Sequence, residues 1–364
     1  MKRSFCFTVG IFLILSLANF QVSAQKSSAE NQAGGDFKRL IQKLWDNPKT
    51  RPHLLAFQRL SASQDWYEDL ANPVVTSQEE LDQKISECRK VYYLFNGLAD
   101  YLRKQEGFLT EQGDSLLEMT EFITQFFSND STFSPVSQVR YVDFSTSQAP
   151  AVKALREEVS LPPPAGPAFI RYFRSREEMP PIIRQCFEEK TRGVTVYCRY
   201  IAVLAEAPTF DKPGVNKALL NKTVNHEYVH AYLNSTLGMR NKTKLPLWFH
   251  EGCAIYFSKS GGTHVDVTSN ADGYLYRTYE DTEDYRRYRL VFKYLAKEHD
   301  RDKFCALIKE SILTQSAAPL LQGTGFSSYE ALADKVSRTF WQRHKRAIII
   351  SLIVMFIIFA VWLR

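Results

Sequence analysis

The chain has 364 residues, of which 45% are hydrophobic, and this is enough to form more than one domain with its own core. Its formal net charge is +6, but the basic residues are dispersed apart from a short run at 343–346. No RNA-binding, zinc-finger or helix-turn-helix pattern accompanies this charge, so the sequence argues against a nucleic acid as a partner.

The first 24 residues have the features of a signal peptide. Lys2 and Arg3 precede an apolar run at 5–20, and three small residues at 22–24 provide a cleavage site. An uncleaved membrane anchor is the alternative interpretation. The signal interpretation places the chain that follows outside the cytoplasm, in a periplasmic or extracellular compartment.

Residues 25–160 are expected to form a mainly helical region. Apolar residues recur there at helical spacing over 37–45, 81–102 and 115–127. No pattern in this region indicates chemistry, so recognising a substrate, covering a cleft and binding a partner all remain open as its role. A proline-rich segment at 161–167 then predicts a linker or a rigid boundary.

Beyond this boundary the sequence predicts two strands and then helices. We expect a short strand at 168–173, a helix near 177–188 and a strand at 194–205. The second strand alternates β-branched, aromatic and polar residues, which is typical of strands. The chain that follows, as far as residue 346, is expected to be helical.

The first chemically informative stretch begins at His226 and has the pattern H-E-x-x-H. On a helix, His226 and His230 lie one turn apart on the same face, so both imidazoles can point at a single metal ion. Glu227 lies beside them, where it can hold a water against that ion. An apolar stripe supports the helix, which Pro213 can begin and Gly238 can end.

The second informative stretch begins at Trp248, eighteen residues beyond His230, and has the pattern W-x-x-E-G-x-A. It offers the carboxylate of Glu251 as a third ligand, on a second helix that Pro246 can begin. Two histidines, one glutamate and an open fourth position describe a catalytic zinc site and not a structural one. His250 should point about 100° away from Glu251, so we expect it beside the site and not as a ligand.

These two stretches resemble the signature of the gluzincins, the zinc metallopeptidases whose third ligand is a glutamate. The version in this chain is most similar to the peptidase-MA-like group of bacterial proteins, and the resemblance covers about residues 168–340. It implies that His226, His230 and Glu251 bind one Zn²⁺ ion. It also implies that Glu227 is the general base.

The resemblance has further implications for catalysis and fold. In aminopeptidase-like gluzincins a tyrosine near the start of a later helix stabilises the tetrahedral intermediate, and Tyr285 is the matching candidate. In this family the strand before the metal helix forms the edge of the cleft, where a substrate peptide could add as another strand. The G-x-M-x-N motif of the aminopeptidases is absent, so we expect an endopeptidase.

The predicted fold class is therefore α+β. A gluzincin-like metallopeptidase domain at 161–346, with a small sheet packed on the metal-binding helix, follows the mainly helical region at 25–160. A C-terminal transmembrane helix completes the predicted architecture.

Several nearby residues allow two interpretations. Asn234 lies one turn beyond His230 and could bond a ligand imidazole, or it could be a polar residue at the end of the helix. Cys253 is expected to be a buried thiol and not a nucleophile. Cys186 and Cys198 could bridge a local loop in an oxidising compartment, or remain free.

The transmembrane helix is predicted from residues 347–363, which carry no charge over seventeen positions. The basic run at 343–346 would then lie outside the cytoplasm, against the positive-inside bias, and could contact anionic lipid head groups. We give the signal more weight, because a long domain is translocated largely regardless of its flanking charges. The chain is thus expected to be held in the cell membrane by a single C-terminal pass, with membrane lipid around that helix.

Together these features predict an exported, membrane-anchored zinc peptidase, a hydrolase that acts on a protein or peptide substrate. Zinc would bring the pKa of a water close to neutrality and polarise the carbonyl of the substrate. Glu227 would take the proton of this water and pass it to the leaving amine. The alternative is a cell-envelope binding or assembly module that keeps the metallopeptidase fold without proteolysis.

Overall fold

A computed structural model of the chain describes residues 39, 42–52, 54–55, 66–104, 111–128, 139–187, 191–205, 213–259 and 282–339. The predicted signal peptide at 1–24 and the predicted membrane segment at 347–363 lie outside the described residues.

Three helices precede the first strand of the sheet: α1 (Trp66–Ala71), α2 (Gln78–Lys104) and α3 (Glu111–Phe126). The last two confirm the helices predicted at 81–102 and 115–127. The buried side of α2 includes Leu81, Ile85 and Cys88, which recur at the three- and four-residue spacing of an amphipathic helix.

The next elements are β1 (Arg140–Val142), α4 (Pro150–Lys153), a π-helical turn (Ala154–Glu158), β2 (Ala168–Phe173), α5 (Pro181–Arg184), β3 (Gly193–Val196) and β4 (Tyr200–Leu204). Strand β2 has the bounds predicted from the sequence. The helix predicted near 177–188 is reduced to the single turn α5, because the pair Pro180 and Pro181 disfavours helical backbone before it.

The remaining elements are helical: α6 (Pro213–Leu237), a 3-10 turn (Lys242–Lys244), α7 (Leu247–Ser258), α8 (Thr282–Glu298), α9 (Arg301–Leu313), α10 (Ala318–Gly323) and residues 329–339. The two helices predicted around the informative motifs are confirmed as α6 and α7.

The single strand predicted at 194–205 is wrong, because the structure has a hairpin there. Strand β3 runs antiparallel to β4, with Val196 opposite Tyr200 and Gly193 opposite Val203. The chain reverses at Tyr197, which has a φ of +54°. Alternating side chains occur in one long strand and in two short ones, so the pattern did not reveal the turn.

The four strands form one mixed sheet in the order β1-β2-β4-β3. Strands β2 and β4 are parallel, and the two outer pairs are antiparallel. The described residues therefore form an α+β fold with a small mixed sheet, in which β3 is one of the two edge strands.

The two faces of the sheet belong to different cores. The first core lies between the sheet and the helices α1–α3 and includes Leu70, Leu81, Met119, Phe122, Phe126, Phe169, Phe173, Val194, Val196 and Tyr200. The second core lies between the opposite face and the helices α4 and α6–α9 and includes Val152, Ile170, Ile201, Val203, Val229, Tyr232, Phe249, Cys253, Phe292 and Phe304. The domain boundary predicted at residue 160 stays a prediction.

Residues in and directly after α1 hold the hairpin and the end of α6 in place through hydrogen bonds. The Tyr200 hydroxyl donates to the Leu70 carbonyl at 2.7 Å, and the Asn72 side chain donates to the Ser235 carbonyl at 3.2 Å. The Met239 amide donates to the Glu68 carboxylate at 2.7 Å. These bonds tie the N-terminal region to the helix that carries both motif histidines.

The predicted fold class is wrong in its membrane component. It included a C-terminal transmembrane helix, but within the described ranges no helix is both long and apolar enough to cross a membrane. The two longest, α2 and α6, carry charged residues along their length.

The disulfide weighed between Cys186 and Cys198 does not form. Both are buried thiols that are not joined to each other, and the Cys186 Sγ donates to the Ile182 carbonyl at 3.4 Å.

Candidate metal centre

Helix α6 brings the first motif into the interior of the molecule. It begins at Pro213 and ends before Gly238, as predicted, and it passes between the sheet and α7. His226, Glu227 and His230 are all buried on it. Because one residue turns the helix by about 100°, Glu227 faces a different neighbour from the two histidines.

Helix α7 brings the second motif against α6. It begins after Pro246, and nearly all of its residues are buried. Gly252 lies directly against α8, since a Cβ atom there would come within 1.9 Å of the Phe292 ring. Only glycine permits this close approach of α7 to α8, and the approach fixes the position of the adjacent Glu251.

The structure brings His226, His230 and Glu251 together, with one ligand atom from each within 4.8 Å of the others. The two histidine Nε2 atoms are 3.1 Å apart. The carboxylate oxygens of Glu251 lie 3.4 Å from Nε2 of His226 and 3.3 Å from Nε2 of His230. The Glu251 side chain is 0% exposed.

These separations fit a metal ion held between the three side chains. Ligand atoms about 2.1 Å from a tetrahedral zinc ion are about 3.4 Å from one another. Direct hydrogen bonds between charged groups would be shorter, about 2.7–2.9 Å. Two imidazole nitrogens and one carboxylate oxygen are also a donor set that suits zinc. The three residues could therefore hold such an ion.

Glu227 follows His226 on α6, and its side chain faces the edge strand β3. Its side chain is 1% exposed, and one of its oxygens, Oε2, accepts a hydrogen bond of 2.7 Å from the Thr195 hydroxyl. Gly193 lies against the same carboxylate, where a Cβ atom would come within 3.0 Å of Oε1. Neither Thr195 nor Gly193 was recognised in the sequence, since their positions depend on the hairpin.

His250 lies outside the three-donor cluster. Its Nε2 donates to the Lys242 carbonyl at 2.8 Å. Burial and, to a smaller extent, the nearby His230 lower the pKa of His250 to about 4, so the imidazole is neutral at pH 7. Burial likewise lowers the pKa of the Lys242 ammonium to about 8.

The other residues that the sequence analysis considered lie at different places in the fold. The Asn234 side chain donates to the Tyr197 carbonyl at 3.4 Å, so it links the end of α6 to the hairpin. Cys253 is a buried thiol, and burial raises its pKa well above the usual value, which argues against a nucleophile. Tyr285 is 1% exposed in the second core, with its ring centroid 5.9 Å from that of Tyr288. Its catalytic role stays a prediction.

No protein-family model, no curated protein and no solved structure matches this chain. The resemblance to the gluzincins therefore depends on the two motifs and on the arrangement of their residues.

Proposed function

We propose that this protein is a zinc-dependent peptidase of the gluzincin type. The observation that carries the proposal is the buried cluster of His226, His230 and Glu251, whose ligand atoms have the mutual spacing of a tetrahedral metal site. A fourth residue of the same pattern, Glu227, directly follows His226 on α6 and does not belong to the cluster. A ligand set and a separate carboxylate are the two parts that metal-assisted hydrolysis needs.

In this proposal His226, His230 and Glu251 hold the ion. When bound, zinc supplies a water with a pKa close to neutrality and a positive charge beside the substrate carbonyl. Glu227 would accept one proton from the attacking water as the water oxygen bonds to the carbonyl carbon. It would then give that proton to the amine nitrogen as the C–N bond breaks, which would return the carboxylate to its starting state.

The place of Glu227 supports a peptide as the substrate. Its carboxylate lies against β3, an outer strand of the sheet. An extended peptide can add to such a strand through main-chain hydrogen bonds, and these bonds do not depend on its side chains. A peptide bound in this way would pass the carboxylate that performs proton transfer.

The test combines metal analysis of the purified full chain with cleavage of a peptide library. We expect one zinc ion per chain, cleavage that a chelator stops, and recovery when zinc is restored. Glu227→Gln should keep the zinc and lose at least about 100-fold in kcat, because the base moves the proton and does not bind the ion.

A Glu227→Gln variant as active as the wild type would contradict the proposed chemistry. A zinc-loaded wild-type protein that cleaves no library peptide would favour the alternative, a binding or assembly module that retains the metal without proteolysis.

A further inference from the structure

We propose that Thr195, on the edge strand β3, is a positioning residue that holds the Glu227 carboxylate in place for proton transfer. This inference rests on the proposed peptidase function. It assigns a task to a strand residue that lies outside both sequence motifs.

The hydrogen bond between the two side chains is short and buried. The Thr195 Oγ1 is 2.7 Å from the Glu227 Oε2 and 3.1 Å from the main-chain oxygen of the same residue. A hydroxyl has one proton to donate, and the carboxylate oxygen is the nearer of the two acceptors. Thr195 is 8% exposed, so water competes little for this bond.

Gly193 confines the same carboxylate from a second direction. A Cβ atom at this position would lie 2.9 Å from the Glu227 Cγ and 3.0 Å from its Oε1. Residues 193 and 195 point to one face of β3, because side chains alternate along a strand. The strand therefore contacts the Glu227 side chain with the backbone of Gly193 and with the hydroxyl of Thr195.

This arrangement matches what a general base requires. A glutamate side chain has several rotatable bonds, and a base that leaves the reach of the water cannot take its proton. The bond to Oε2 holds the carboxylate in one position, from which it would accept the proton from the water and return it to the amine. Thr195 itself exchanges no proton in either step.

The experiment compares Thr195→Val, which removes the hydroxyl at nearly constant shape, with Thr195→Ser, which keeps it. We expect Thr195→Val to lower kcat about 10- to 100-fold, since small misplacements of a catalytic group cost up to about 100-fold. KM should change less than about threefold, and the zinc content should stay at the wild-type level. Thr195→Ser should keep kcat within about threefold of the wild type.

The same change in a Glu227→Gln background separates positioning from a general effect on the fold. If Thr195 acts through the base, Thr195→Val causes no further loss of kcat once the base is gone. An equal loss in both backgrounds, or a Thr195→Val variant with wild-type kcat, would overturn the proposal.

Crystal structures of the zinc-loaded variants give a readout that does not depend on activity. The Glu227 carboxylate should keep one position in the wild type and in Thr195→Ser, and should shift or spread over several positions in Thr195→Val. An unchanged carboxylate in Thr195→Val overturns the proposal. If the zinc-loaded wild type cleaves no peptide, the proposed function fails, and the carboxylate position alone decides whether Thr195 holds Glu227.

Discussion

The buried charged side chains on the two faces of the sheet are arranged in different ways. On the face toward α3, the fully buried Arg171 donates from Nη1 to the main-chain carbonyls of Gln125 and Phe126, both at 2.7 Å. Its guanidinium lies 5.1 Å from the ring centroid of Phe173. Burial lowers the pKa of Arg171 only to about 10, so it stays protonated and stabilises the C-terminal end of α3.

On the face toward α6, three buried ionisable groups are directed at one another. The ligand atoms of His226, His230 and Glu251 lie 3.1–3.4 Å apart. Burial of a charged or polar side chain therefore does not identify a functional site by itself. The convergence of several such groups on one point distinguishes the α6 face from the α3 face.

The largest expected effect comes from removing one member of the convergent group. Glu251→Ala should weaken zinc binding by more than about 100-fold, because even residues that only support a metal ligand contribute about 10- to 100-fold. The matched control is His250→Ala, in which a buried neighbour that bonds the Lys242 carbonyl is removed. It should bind zinc within about tenfold of the wild type.

A competition titration with a chromophoric chelator measures both affinities. The reverse result, with zinc lost from His250→Ala and kept by Glu251→Ala, would move the third ligand to His250 and remove the gluzincin interpretation.

The second prediction concerns the packing of α7 against α8 beside Glu251. Gly252→Ala places a methyl group 1.9 Å from the Phe292 ring and should lower the free energy of unfolding by about 3 kcal/mol. The higher helix propensity of alanine offsets only about 1 kcal/mol of this loss. Denaturant unfolding measures the change, and a Phe292→Leu background should reduce it. A Gly252→Ala variant as stable as the wild type would contradict the close contact of α7 with α8.

A substitution on the sheet face toward α3 tests whether the two faces are independent of each other. Arg171→Met leaves the carbonyls of Gln125 and Phe126 without their buried donor and should lower the free energy of unfolding by about 2 kcal/mol. Zinc content and kcat should not change, because Arg171 has only a structural task. Loss of zinc comparable to that of Glu251→Ala would show that the two faces are not independent.

The smallest effect is a pH dependence at Lys242, a buried cation near the hairpin. Its folded pKa of about 8 is below the ordinary value of 10.5, so between these pH values the unfolded chain binds more protons than the folded one. Its contribution to stability therefore rises with pH through this window. Lys242→Met should exceed the wild type in stability by roughly 1–3 kcal/mol at pH 7.

This advantage of Lys242→Met should fade as the pH rises from 8 to 10.5 and should be lost above pH 10.5, where lysine becomes neutral in both states. Denaturant unfolding at the two pH values tests it. A difference that is the same at both would mean that the cost of burying the ammonium is not its cause.

The sequence predicted features that depend on local spacing. One helical turn separates His226 from His230 in any α-helix, and the apolar periodicity and flanking prolines located α6 and α7. The contact of Thr195 with Glu227 depends on how β3 is placed against α6. The alternation of residue types along 194–205 carries no information about that placement. The need for Gly252 depends on Phe292, which belongs to a different helix.

Anomalous diffraction at the zinc edge shows whether His226, His230 and Glu251 bind one metal ion. Crystals of the wild-type protein supplied with zinc should show one peak about 2.0–2.2 Å from the two Nε2 atoms and from a Glu251 oxygen. No peak at this place, with zinc bound at other residues or not at all, would contradict the account.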